Sequence, residues 1–238
     1  EEESKIRREL NHLGYITREV LIRYYYGNQS VADIAVFIDG KSHMLIPWES
    51  EYLNNTLYQS VYMEQLEGLG HIGAPYDIYL LDDLADGIVP EHKINIFLGN
   101  TWMNDQERTA IEGLQKNGNI LVWIFTSGIS DGETTDLALM EDIIGMDLKL
   151  VSTERKQIAT AKIIDNNHWL TKGINVGRPY GVKSYDKMSP VIAISDSTVT
   201  PLAYHSTTST TVSVPDGQVA LGVKEMEDWT CIYSAIPN

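Results

Sequence analysis

Apolar residues along this chain change their spacing several times, and each change marks an element. Over residues 3–26, Ile6, Leu10 and Leu13 stand at i, i+4 and i+7, and Val20, Leu21 and Tyr24 continue beyond Gly14. That spacing predicts a helical arm ending at Gly27. Ala32-Asp33-Ile34-Ala35-Val36-Phe37-Ile38 then reads as a strand buried on both faces, followed by the turn residues Asp39-Gly40. Leu57, Tyr58, Val61, Tyr62, Leu66 and Leu69 predict a helix over 55–69, closed by Gly70. Asp77–Leu81 and Ile94–Leu98 are short apolar runs of strand length. Asn104 and Glu107 form a capping box, followed by the stripe Ala110, Ile111 and Leu114, which predicts a helix closed by Gly118. Asn119–Phe125 is a fourth strand. Strands alternating with helices imply right-handed crossovers and a mostly parallel sheet with helices on both faces, a flavodoxin-like α/β fold.

Beyond about residue 145 the texture becomes β. Leu148–Leu150, Ala159–Ile164, Val191–Ile194, Pro201–Tyr204, Val219–Val223 and Trp229–Ser234 are short strand-like runs. The last two flank Glu225–Asp228, which suits a hairpin, and the Ser- and Thr-rich stretch 206–213 reads as an exposed loop or edge. The expected organisation is an arm or linker over 1–31 and one α/β domain with a β-rich C-terminal part over 32–238.

The chain's 238 residues suffice for a sizeable core. The formal net charge of −15, with Lys and Arg scattered, excludes the basic face of a nucleic-acid binder and disfavours anionic lipid. No apolar run approaches the roughly 20 residues of a membrane span. A single cysteine, Cys231 in an apolar run, rules out an internal disulfide and reads as structural. The start at Glu1-Glu2-Glu3 and the stop after a strand suggest a piece of a longer polypeptide, so localisation stays open.

The stretches GAPYDIYLLDDL (73–84), KINIFLGNTWMNDQERTAIEGL (93–114) and GNILVWIFTSGISD (118–131) resemble the domain that follows the catalytic barrel in family 42 β-galactosidases, the β-galactosidase trimerisation domain. IIGMDLKL (143–150) is similar to the segment after its fourth strand. NHWLTKGI (167–174) is similar to a turn common in this fold, with Trp169 where Pro is usual. The resemblance implies the class I glutamine amidotransferase-like fold, and a role in self-association or in packing on a barrel domain of a parent glycoside hydrolase. No acid or nucleophile of the barrel can be carried over.

An active amidotransferase needs a thiol at a sharp turn after a strand, beside backbone N–H donors, and a His-x-Glu pair later. The corresponding stretch, Phe125–Ser130, has no cysteine, and no His-x-Glu occurs near the end. Ser127 could stand in as a nucleophile only with an imidazole base and an acid, such as His168 or His205 with Asp131; otherwise it is turn chemistry. Asp82 and Asp83 follow the second strand, where α/β ligands bind, although adjacent carboxylates point apart and do not make a glycosidase pair; helix capping or solvation is the plainer reading. The six histidines lack metal-ligand spacing and no Walker motif occurs, so neither metal nor cofactor is expected. Trp123 and Trp229 lie in apolar strands and read as core. Trp102 and Trp48 are the better aromatic anchors for carbohydrate or an interface. The resulting expectation is a non-catalytic accessory domain, with a carbohydrate-binding module or a hydrolase at the sheet's carboxyl edge as alternatives.

Overall fold

The computed structural model describes residues 30–45, 59–153, 157–158, 160–181, 187–206 and 217–237. The expected arm, apart from residues 30 and 31, and Trp48 lie outside the described residues, as does most of the Ser- and Thr-rich stretch. Asp33–Asn238 make up one compact unit.

The centre of this unit is an 11-stranded sheet. Four strands come from the first half of the chain: β1 (Ile34–Ile38), β2 (Tyr76–Leu80), β3 (Ile94–Leu98) and β4 (Asn119–Ile124). All pair in parallel, in the order β2-β1-β3-β4. Their continuous apolar runs follow from burial on both faces. In-register pairing lines up Tyr79, Phe37, Phe97 and Trp123 on neighbouring strands. The Phe37 and Phe97 rings stack at 5.0 Å, and those of Phe97 and Trp123 at 4.2 Å.

The helices are short. The first, α1, spans Gly40–Leu45. A π-helical turn over Gln59–Met63 leads into α2 (Glu64–Gly70), in place of the one continuous helix that the apolar spacing predicts. Then come α3 (Leu81–Ala85), α4 (Asp105–Glu112) and α5 (Leu137–Ile144), of which α1, α3 and α5 are additions to the predicted elements. Leu66 and Leu69 of α2 cover one face of the sheet together with Val36, Val61 and Leu98. Leu81, Leu84, Ile111, Met140, Ile143 and Ile144 from α3, α4 and α5 cover the opposite face, over the aromatic ladder. The capping box at Asn104 forms as expected, with Glu107 N donating to Asn104 Oδ1 at 2.9 Å and Asn104 N to Glu107 Oε2 at 2.8 Å. The helix stops earlier than expected, capped at Gly113. Gly118, at φ 66°, shapes the turn into β4 instead.

The C-terminal half extends the same sheet with antiparallel strands: β5 (Leu148–Ser152), β7 (Thr160–Ile163), β8 (Pro179–Gly181), β10 (Val191–Ile194), β11 (Thr200–His205), β12 (Val219–Glu225) and β13 (Trp229–Ser234). The expected hairpin is β12–β13, and β13 also pairs in parallel with β4, joining the two halves. The run expected as a strand over 159–164 forms β7, and a further short strand lies just before it. Gln157–Ile158 (β6) pairs with Lys187–Met188 (β9) in a separate two-stranded sheet, while β7 pairs with β11. Apolar character alone cannot show which of two sheets a residue joins.

Candidate functional site: the carboxyl edge of the parallel strands

Because β1 to β4 run in parallel, the residues just after them meet at one edge, where open α/β sheets bind ligands. After β1, Asp39 is buried, and its carboxylate accepts from Lys41 N at 3.2 Å and from Ser42 N and Oγ at 2.7 Å each, which starts α1. Ser42 Oγ in turn accepts from Trp102 N, after β3, at 2.9 Å. Lys41 Nζ donates to Asp82 Oδ1, after β2, at 2.6 Å and to Glu107 Oε1 of α4 at 2.8 Å. One ammonium thus ties three crossover connections together.

The electrostatics follow burial. Glu107 has a side chain only 1% exposed; loss of water raises its pKa, with Lys41 and Asn104 N pulling the other way. Asp82 is 55% exposed, and its hydrogen bond from Lys41 lowers its pKa. Burial works to lower the Lys41 pKa, but its bonds to both carboxylates outweigh this and hold it above the ordinary lysine value. Asp83 accepts from Leu80 N at 2.9 Å and caps α3.

Trp102 is half-buried. Its indole lies against Gly132, where a Cβ would collide with the ring, and Lys41 Nζ sits 5.8 Å from a ring centroid. The indole Nε1, and both amide atoms of the fully buried Asn100, have no hydrogen-bond partner among the described residues. Arg108 holds the surrounding loops in place: its guanidinium donates to Met103 O at 3.1 Å, Leu139 O at 2.8 Å, Gly128 O at 2.7 Å and Ser130 O at 3.3 Å.

The turn after β4 has a strained backbone, and the strain falls on Phe125, at φ 58°. A bulky residue in this left-handed region is an outlier. The ring of Phe125 is buried among Val36, Leu98 and Ile236, and its N–H donates to Ser234 O at 2.7 Å. Ser127 lies two residues further on, fully buried, with its hydroxyl donated to Ile124 O at 2.8 Å and Phe97 O at 3.3 Å. The ring hydrogen bonds of His92, His168 and His205 go elsewhere: to Pro90 and Asp77, to Leu170 N, and to Ile192 O. Asp131 caps its own turn through Glu133 N and Thr134 N. No group of three or more His, Cys, Asp or Glu side chains able to hold a metal occurs among the described residues. Cys231 is buried, and burial pushes its thiol pKa well up.

The edge therefore brings Asp82 and Trp102 to the same ammonium of Lys41, leaves Asp83 in the cap of α3 and sets Ser127 beneath the surface. Sequence reading missed Lys41, Asp39 and Asn100. The usable signal was Asp39-Gly40-Lys41-Ser42, which has the spacing of a capping aspartate as well as the composition of a turn.

No protein-family model matches the chain, and no curated protein matches it. Solved structures do. The cold-adapted β-galactosidase of Rahnella sp. R3 is 17% identical with a TM-score of 0.62; the match covers 97% of this chain and 32% of that one. Gan42B, a GH42 β-galactosidase from G. stearothermophilus, is 14% identical with a TM-score of 0.61, over 87% of this chain and 28% of that one. A ThuA-like protein of Bacteroides uniformis is 14% identical with a TM-score of 0.52, over 90% of this chain and 86% of that one. These likenesses show the fold, and they agree with the resemblance to the family 42 domain read from the sequence. The chain spans about a third of the length of the two β-galactosidases.

Proposed function

We propose that this chain is a non-catalytic accessory domain of a glycoside hydrolase, in which residues 32–238 form an amidotransferase-like domain, residues 1–31 form an arm, and the domain serves assembly. The reading is supported by the match of nearly the whole chain to about a third of each β-galactosidase. The observation that carries it is Phe125. The elbow that would present a nucleophile keeps its strained backbone but bears a buried aromatic ring. A hydrocarbon ring there can neither attack a carbonyl nor be activated by a base. Ser127 spends its hydroxyl on two carbonyls and on this reading is structural. The test has two parts. Glutamine hydrolysis and labelling by fluorophosphonates should both be absent. Light scattering of the full-length protein should show an oligomer, or limited proteolysis should show the domain protected by a barrel domain. Glutaminase turnover, or a monomer whose domain is cleaved and released freely, would count against the reading.

A second reading, a carbohydrate site at the carboxyl edge, is favoured by the unpaired amide of Asn100 beside the half-buried Trp102. Calorimetric titration with galactose and mannose tests it, and Asn100→Leu should abolish any heat of binding.

A further inference from the structure

Ten large apolar side chains are exposed among the described residues, and seven of them fall in two short stretches. Ile72, Ile78, Leu80 and Ile88 form the first; Trp169, Ile174 and Val176 form the second. The sheet order places these stretches at opposite ends, since β2 is one edge strand and the second stretch lies in the connection from β7 to β8, the other edge.

At the first end, Tyr76, Ile78 and Leu80 share one face of β2 by the period-2 rule. Tyr76 packs into the core, whereas Ile78 and Leu80 are each 47% exposed. At the second end, Trp169 is 53% exposed and leans on His168, with ring centroids 5.4 Å apart.

Charge separates the two ends. Residues 76–91 contain Asp77, Asp82, Asp83, Asp86 and Glu91 and neither Lys nor Arg, five negative charges in all, one of them paired with Lys41. Residues 160–181 contain Lys162, Lys172 and Arg178 against Asp165 alone, three cations to one anion, in a chain whose net charge is −15. Lys162, Lys172 and Arg178 are all exposed. The β2 end thus carries exposed apolar side chains and an excess of acid, and the β7–β8 end carries exposed apolar side chains and an excess of base.

We propose that the β2 edge of one copy docks against the β7–β8 connection of a second copy, in a head-to-tail contact with Ile78 and Leu80 meeting Trp169, Ile174 and Val176. This rests on the self-association reading above and specifies its surface. A patch meeting a copy of itself would set like charge on like, at the acidic end especially, whereas the cross-pairing sets acid against base. Two different patches on one subunit make a heterologous interface, which closes into a ring or continues as a filament and is not used up by a single two-fold pair. A stable contact of this kind should bury about 1,000 Å² or more in total.

Sedimentation of the full-length protein at micromolar concentration tests this with two variants. One carries Trp169→Asp and Lys172→Glu; the other carries Ile78→Lys and Asp86→Lys. Each spoils one patch and leaves the other intact. The wild type should assemble, and each variant alone should be monomeric. An equimolar mixture should give a 1:1 heterodimer, because one good contact remains between unlike copies. All four positions are exposed, so melting temperatures should stay within about 2 °C of wild type. Val176→Lys and Glu91→Lys replace any member that unfolds. If the wild type assembles and either variant assembles just as well, the surface lies elsewhere and self-association stands without it. Folded monomeric variants that ignore one another overturn the head-to-tail geometry. A monomeric wild type overturns both the contact and the self-association reading.

Discussion

Glu107 has two jobs, one local and one long-range. Its Oε2 accepts the N–H of Asn104 and completes the cap of α4, while Oε1 receives Lys41 from a different crossover. Removing such a buried acceptor leaves donors without partners, which costs more than the bond itself returns. Lys41 is 30% exposed, so water recovers part of that loss. Glu107→Ala should therefore destabilise by about 2 kcal/mol in urea unfolding. Glu107→Gln should cost less than half as much, since an amide oxygen still accepts from Asn104 and no charge is buried. Asp82→Asn, at a group more than half exposed, should cost under about 1 kcal/mol. A larger loss for Asp82→Asn than for Glu107→Ala would contradict this ranking. Asp196 supplies a pH dependence. Its burial works to raise its pKa, but donation from Lys224 Nζ at 2.7 Å and from Thr198 Oγ1 at 2.6 Å prevails and holds it well below the ordinary carboxylate range. A depressed folded-state value gives stability that is present above the unfolded pKa of about 3.9 and lost as pH falls below it. Glu107, raised by burial, has the opposite sign and gains protons first in the folded state. Asp196→Asn should therefore lower stability at pH 7 by about 2 kcal/mol and flatten the stability profile below about pH 4. Parallel acid limbs for the variant and wild type would assign the effect to other carboxylates.

At the scale of elements, legibility followed the locality of the signal. The four parallel strands were readable because burial on both faces leaves unbroken apolar runs, and the cap of α4 because Asn104 and Glu107 stand three residues apart. Asn104→Ala should cost about 1 kcal/mol, measured as a lower urea midpoint with an unchanged slope; a neutral result would mean that Arg108 and the packing of Ile111 hold α4 without its cap. The short helices α1 and α3 were not readable as helices, since five or six residues carry too few turns to show a period. The candidate site was only half legible. Asp82, Asp83 and Trp102 follow strands and could be placed at the edge from order alone. Lys41 could not, because its two partners lie 41 and 66 residues away. At the elbow the hydroxyl of Ser127 is the chemically conspicuous group, yet the strained position is Phe125. Backbone φ is a property of the turn and not of the residue type that occupies it.

Across the whole molecule, the last strand in sequence is a middle strand in space. β13 pairs in parallel with β4 over six residues, from Trp229 with Asn119 to Ser234 with Ile124, and antiparallel with β12 on its other side. It therefore carries the junction between the parallel half and the antiparallel half. Cys231, Tyr233, Ala235 and Ile236 are all fully or almost fully buried, and Ile236 packs against the same cluster as Phe125 of the elbow. Leaving β13 out would open two sheet edges in the interior and expose apolar surface on both faces of the sheet. Partners this distant in sequence also mean that the sheet cannot close until the end of the chain is available, which favours slow folding. A chain ended at Asp228 should accordingly lose its cooperative unfolding transition and its near-ultraviolet circular dichroism, with Trp123 no longer in a fixed environment. Among the described residues, a chain ended at Ile236 loses the buried Pro237 and the bond from Gln65 Nε2 to its carbonyl, at 2.9 Å, and should melt within a few degrees of wild type. Cooperative melting of the chain ended at Asp228 would show that the parallel half folds by itself, and that β13 adds to a finished domain where the register makes it the keystone.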